Sequence, residues 1–263
     1  MSDKKIDWDP IRTLAKRVLE QGEPLDLTDE TRALLLRSAR EVAISDEDAE
    51  SALRNLPTAT TLLQEVRRRI SDGSARLSRA QIRAYELRDA GDLTGAQQFM
   101  RDVLAVEVVP FYREQAEIAL EKLAGLAEVR TTGQINPNLN DRPQLTALYQ
   151  RVQQGHVLEL TDDVRALLRR MAPTAAVSVA ETEDALKSLE GAEALMGMIL
   201  SRLRDGQKRI TRALFRMTSL RDAGDLEGAR QQMRDVLAVE IVPQYRRMAE
   251  EQLRGLDSPP PGS

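Results

Sequence analysis

The chain has 263 residues, 41% of them apolar and 30% charged, with no cysteine and a formal net charge of −4. This is a globular composition, sufficient for one large domain or two ordinary ones. The missing thiols exclude a disulfide framework, a cysteine nucleophile and cysteine-ligated metal, and the acidic balance argues against non-specific binding to nucleic acid or acidic membranes.

The opening residues MSDKKIDWDP lack the apolar core of a signal peptide. No apolar run approaches the roughly 18 residues of a membrane-spanning helix. A soluble, cytoplasmic protein without a membrane partner is therefore expected. Apolar residues recur at spacings of three and four, and no run alternates with a period of two, which predicts an all-α fold.

In chain order, Ile11, Leu14 and Val18 predict a first helix near 9–21, closed by Gly22 as a C-cap. Thr28 or Asp29 then caps a helix through Arg40, on which Leu34, Leu35 and Leu36 give a broad apolar face. Ser45 followed by Asp48 resembles a capping box and starts a short acidic helix that ends near Asn55. The longest element covers roughly 58–90. Leu63, Ile70, Leu77 and Ala84 form one seven-residue series on it, and Val66, Gly73, Ala80 and Leu87 a second. Two such series make a seam that needs a neighbouring helix. Gly73 implies close helix contact or a kink, and a break into two helices at Asp72–Gly73 is the alternative. Gly91 then fits a positive-φ C-cap and Asp92 the next N-cap. Leu93, Ala96, Met100 and Val103–Leu104 share one face of the following helix. Pro110 opens another, which packs through Tyr112, Ala116, Ala119–Leu120 and Leu123.

The whole pattern occurs twice. At a shift of 133 positions, 24 of the 31 residues in 87–117 are identical to those in 220–250. LDLTDETRALL (25–35) likewise meets LELTDDVRALL (158–168). The register slips only before Gly22, where LAKRVLEQG matches LYQRVQQG with one residue deleted. The long-helix seam returns as Met196, Leu203, Ile210 and Met217 beside Ile199, Gly206, Ala213 and Leu220. The chain thus reads as a tandem duplication, with module one at 8–126, a linker at 127–142, module two at 143–257 and a disordered tail at 258–263.

The segment from Gly91 resembles half of a tetratricopeptide repeat: Gly91–Asp92–Leu93, Ala96, Met100, Val103–Leu104 and Pro110 follow that family's order. Pro110 falls two positions late, and the first-helix Trp, Leu-Gly and Tyr are missing from 77–87, so the resemblance implies one hairpin and no solenoid. The module as a whole resembles the DUSAM domain, a mostly myxobacterial family whose function is not established. The strings that carry this are WDPIRTLAKRVLEQGEPLDLT, EVAISDEDAESALR, TLLQEVRRRISDGS and LRDAGDLTGAQQFMRDVLAVEVVPFY. The second copy departs from it where APTAA (172–176) replaces AREVA and where the leading Trp is lost.

The chain carries few residues suited to catalysis or metal binding. His156 is the only histidine, and its counterpart is Glu23, which excludes a histidine shared by both copies as base or ligand. Zinc is not expected. The Asp89, Gly91 and Asp92 cluster lacks the alternating oxygen ligands of a calcium loop and reads as capping. No GxxxxGK[ST], GxGxxG or Gly-x-Ser-x-Gly occurs. No catalytic residue, cofactor or metal site is assigned, and the chain is expected not to be an enzyme.

Two polar features remain as a candidate interaction surface. One is an Arg stripe on the long helix, Arg69, Arg76 and Arg83, with Arg202, Arg209 and Arg216 in the second copy; Arg79 and Arg212 accompany it. The stripe is either a basic ridge for an acidic partner or a solvated flank whose stems cover apolar surface. The other is the set Arg88, Arg101, Asp102 and Glu107, repeated as Arg221, Arg234, Asp235 and Glu240. The expected function is non-enzymatic: interaction or scaffolding through two similar modules whose partner is another protein, or the chain itself. A self-assembling structural protein is the first alternative, and a nucleic-acid-binding regulator using the Arg stripe the second.

Overall fold

The structure is a computed structural model that describes residues 6–257; the expected tail at 258–263 lies outside the described residues. Among these residues every element is helical. The chain divides into two compact units, Met1–Ala124 and Gly125–Ser263.

In the first unit, α1 (Asp9–Ala15) runs into a π-helical turn (Lys16–Glu20). There follow α2 (Asp29–Glu41), α3 (Asp46–Ala52), α4 (Leu56–Ala90), α5 (Leu93–Val106) and the start of α6 (Pro110–Thr132). The expected single helix over 9–21 is thus α-helical only to Ala15. The π turn is where the first copy carries the one residue that the second lacks. A π bulge absorbs one inserted residue without breaking the helix, and here Gln21 N–H reaches back to the Lys16 carbonyl. Gly22 then takes φ +74° and ends the segment.

Local capping follows the side chains. Thr28 accepts from the Thr31 N–H, and Ser45 from the Asp48 N–H. Asn55, expected at the end of the acidic helix, instead caps α4 by accepting from the Thr58 N–H. α4 continues unbroken through Gly73. Its seven-residue series face inward up to the last position of the second: Leu63, Val66, Ile70, Gly73, Leu77, Ala80 and Ala84 are buried, and Leu87 is half-buried. α5 folds back along α4 through Gly91, at φ +90°, and Asp92, whose side chain accepts from the Gly95 N–H. Trp8 closes the end of this core. Its ring lies 5.5 Å from Phe111 and 5.4 Å from Tyr112, and its Nε1 donates to Glu41 at 2.9 Å.

The second unit repeats the order with α7 (Asp141–Gln153), α8 (Asp162–Met171), α9 (Val179–Ala185), α10 (Leu189–Asp222), α11 (Leu226–Val239) and α12 (Pro243–Asp257). α7, without the extra residue, is α-helical throughout. Proline replaces Arg40 at position 173, and α8 ends in a 3-10 turn (Ala172–Ala175). The exit geometry survives this change: Ala176 takes φ +55°, as Ala43 takes φ +60°. α10 is continuous through Gly206, with Met196, Ile199, Leu203, Ile210, Ala213 and Met217 buried along it.

The segment read as a linker, 127–142, is non-helical only over 133–140. α6 extends to Thr132 and α7 begins at Asp141. Leu126 and Val129, three apart and 4% and 1% exposed, continue the buried apolar spacing of α6 into the stretch read as a linker. Arg151 donates to the Thr131 carbonyl at 2.6 Å, satisfying one of the end carbonyls of α6. No helix among the described residues is long and apolar enough to cross a membrane.

Candidate interaction face

Of the candidate residues, Arg76 and Glu107, with their counterparts Arg209 and Glu240, meet at one corner of each module, where the turn from the fifth helix into the sixth crosses the long helix. Glu107 ends α5 in an extended conformation, and the next two residues alternate: Glu107 and Val109 point in, while Val108 points out. The Glu107 carboxylate is buried. It accepts from the N–H groups of Val108 and Val109 at 3.0 and 2.8 Å and pairs with the Arg76 guanidinium. Arg113 closes the other side, donating to the carbonyls of Leu104 and Glu107 at 2.8 Å each. Beneath this, one edge of the Tyr112 ring lies against Gly73, where a Cβ would overlap it, and the Tyr112 hydroxyl donates to the Ile70 carbonyl at 2.9 Å. Burial raises the Tyr112 hydroxyl above its usual pKa, keeping it a donor. The close contact expected at Gly73 is therefore with a tyrosine ring, and no kink is needed.

The ion pair, the arginine bridge and the tyrosine over glycine recur in the second module, where the carboxylate keeps one of its two backbone donors. Arg209 pairs with Glu240, which accepts from the Val242 N–H at 2.8 Å. Arg246 caps Leu237 and Glu240, and Tyr245 covers Gly206 and donates to the Leu203 carbonyl at 3.0 Å.

This geometry divides the residues read as a candidate surface. Glu107 and Glu240 do not belong to it: at 3% and 2% exposure they are internal anchors. Arg76 and Arg209 are committed to them. Arg69 donates to the carbonyls of Val42 and Ala43 at 3.0 and 2.8 Å, and Arg202 to those of Ala175 and Ala176 at 3.1 and 2.9 Å. Both thereby satisfy the end of the second helix of their module. Four of the six stripe arginines thus serve the fold, because each lies within reach of a carbonyl or carboxylate that has left water.

The rest of the set is exposed or paired locally. Arg83 pairs with Glu86 at 2.8 Å, while the Arg216 side chain has no partner among the described residues. Arg88 stacks on the Tyr85 ring at 4.8 Å and pairs with Asp89; Arg221 pairs with Asp222. On the outer face of α5, Arg101 takes Gln97, and Asp102 accepts from Gln98 at 2.7 Å. On α11, Arg234 takes Glu227, and Asp235 accepts from Gln231 at 2.7 Å.

The sequence reading missed the apolar component. Val106 and Val239 are 61% and 60% exposed, and Val108 and Ile241 are 52% and 51% exposed. Two aliphatic side chains thus stand in water at the same corner of both modules, beside the groove that holds Arg76 and Asp72 in the first. The signal was the short alternation VEVVP, whose period of two puts 106 and 108 outward once 107 and 109 are inside. Among the described residues, no group of three or more His, Asp or Glu side chains is placed to hold a metal ion. His156 is exposed after the turn at Gly155, and Asp92 and Asp225 act as N-caps.

Compared with known proteins, the chain matches one family, described as "Protein of unknown function (DUF2379)", over residues 6–125 and again over 140–256. No curated protein and no solved structure matches it.

Proposed function

Because the chain belongs to the DUF2379 family through two successive copies of its unit, we propose that it is a non-enzymatic, two-headed protein-binding scaffold. Each module presents the corner at Val106 and Val108, or at Val239 and Ile241, to a protein partner. The matched segments are also those whose strings resemble the DUSAM domain, and we take the two descriptions to name one unit.

The observation that carries this reading is the exposed aliphatic pair, kept in both copies on a corner that the Arg–Glu anchor holds rigid. Core packing does not use these side chains, and each exposes apolar area that a partner would remove from water, at about 25 cal/mol per Å². Asp102 and Asp235 stand one turn before Val106 and Val239 on the same helix and give the aliphatic pair a polar edge, in keeping with an interface that has an apolar centre. The α4–α5 hairpin, with α6 beginning at a proline, keeps the order of half a tetratricopeptide repeat and supports the same reading. Two such faces on one chain give avidity towards a repeated or dimeric partner.

A protein partner is favoured over nucleic acid because four of the six stripe arginines are held by internal acceptors and an aliphatic centre offers nothing to phosphate. The test is affinity purification of the full chain from its native cell, against the Val106→Glu/Val239→Glu variant. Proteins enriched on the wild type should be lost from a variant with unchanged circular dichroism and melting temperature. Undiminished recovery of the same proteins would exclude this corner as the binding face.

A further inference from the structure

The two modules share a fold but have diverged in charge at one pair of surfaces. In the second module, the groove between α10 and α11 is lined by Lys208, Arg212 and Arg216 on one side and by Asp235, Val236 and Val239 on the other. The side chains of Lys208, Arg212 and Arg216 are exposed and have no partner among the described residues. Four apart along α10, they lie within an arc of about 80° and a length of about 12 Å. The first module does not have this. Ala75 stands where Lys208 does, Arg79 donates to the Ala75 carbonyl, and Arg83 is paired with Glu86.

The opposite specialisation appears on α6. Glu114, Glu117 and Glu121 are exposed, and none has a side-chain partner among the described residues. Their spacing of three and four places them within an arc of about 60° over about 10 Å. Ile118 sits among them, 37% exposed. In α12 the same four positions are Arg247, Glu250, Glu251 and Arg254, which is not an acidic stripe. One module thus carries unpaired cations beside exposed aliphatics, and the other unpaired carboxylates around an exposed isoleucine, over matching lengths.

We propose that the α10–α11 groove of one chain takes the acidic face of α6 from a second copy of the same chain. The proposal rests on the reading of this face as protein-binding and names its partner. Guanidinium and carboxylate match in geometry, so Arg212 and Arg216 receive Glu117 and Glu121 or their neighbours. Ile118 comes against Val239, which is otherwise 60% exposed. Because donor and acceptor faces differ, the contact is heterologous, and association proceeds head to tail into a closed ring or an open chain.

Sedimentation velocity of the full chain tests this. At low salt, mass should rise with concentration, from micromolar to hundreds of micromolar, above that of the monomer, and should revert at high salt as the charges are screened. Arg212→Glu/Arg216→Glu and Glu114→Arg/Glu117→Arg should each weaken association at least tenfold, with circular dichroism unchanged. Mixing the two variants should restore it, because each then supplies the charge that the other lacks. A wild type that stays monomeric throughout, or association indifferent to both reversals, would overturn the proposal. Salt-sensitive binding of a short DNA duplex that needs Arg212 and Arg216, without self-association, would assign these cations to nucleic acid instead. A monomeric chain that still captures partners through Val106 and Val239 would overturn only this inference and leave the scaffold reading standing.

Discussion

Arg76 on α4 and Glu107 at the end of α5 are joined by an ion pair that pins the α5–α6 turn to the long helix, and Arg209 and Glu240 repeat it 133 positions later. The Glu107 side chain is 1% exposed, whereas that of Arg76 is 35% exposed. The pair is therefore a buried carboxylate held by two backbone N–H groups and by a cation that reaches in from the rim.

Arg76→Ala leaves that carboxylate buried with only its backbone donors. Breaking such a pair on one side costs about 3–5 kcal/mol, and the partial exposure of Arg76 puts the expected loss near the lower end. Urea unfolding of the full chain should show the first module's transition moving to lower denaturant while the second stays in place. Arg209→Ala should do the reverse. Equal shifts of both transitions would show that the anchors are not local to their modules.

Gly73→Ala places a methyl group inside the Tyr112 ring, and Gly206→Ala places one inside that of Tyr245. Alanine favours the helix by about 1 kcal/mol over glycine, but the overlap forces the ring and its bond to the Ile70 carbonyl to move. Overpacking of this kind costs roughly 1–3 kcal/mol, so a net loss of stability is expected. Thermal denaturation reads it, and a rise in melting temperature would show that the ring yields freely.

Ala43 and Ala176 sit at positive φ where their modules leave the second helix, and Arg69 and Arg202 hold the adjoining carbonyls. An L-residue pays about 1–2 kcal/mol for that conformation, and glycine does not. Against this, glycine gives the unfolded chain more freedom, worth about 0.4–1 kcal/mol. Ala43→Gly should therefore stabilise the first module by between about 0 and 1.6 kcal/mol, seen as a higher denaturation midpoint.

Glu65 should contribute to the acid sensitivity of the first module alone. Glu65 accepts hydrogen bonds from Arg68 and, secondarily, Arg69, which hold its carboxyl at about 2 against an ordinary 4.5. A depressed carboxylate contributes stability that is complete above its unfolded value and is lost as pH falls through its folded one. The loss in the first module should fall between about pH 4.5 and pH 2. The second module has Met198 at this position. Glu65→Met should flatten the pH dependence of the first module in that window, as read by melting temperature at stepped pH.

Sequence alone settled the helical class, the duplication, most caps and the inward seam of the long helix. These rest on interactions between residues near one another in the chain, or on a regular apolar period. Gly91 and Asp92 end one helix and start the next through bonds spanning three residues, so their roles can be read in the string LRDAGDL. The insertion before Gly22 was legible as a missing residue, but its outcome, a π turn, depended on the helix ends being held by what they pack against.

What only the tertiary structure decided was which polar residues are free. Glu107 and Asp102 look alike in sequence, five positions apart and repeated together in both copies. One is buried and the other faces water, because Glu107 meets Arg76, which lies 31 residues away in the chain but at the same corner in space. The arginine stripe divides for the same reason: its even spacing is a property of one helix, whereas the carbonyls of Val42 and Ala43 that engage Arg69 belong to another. The exposed valines at 106 and 108 come into view only once those anchors fix which way the turn faces.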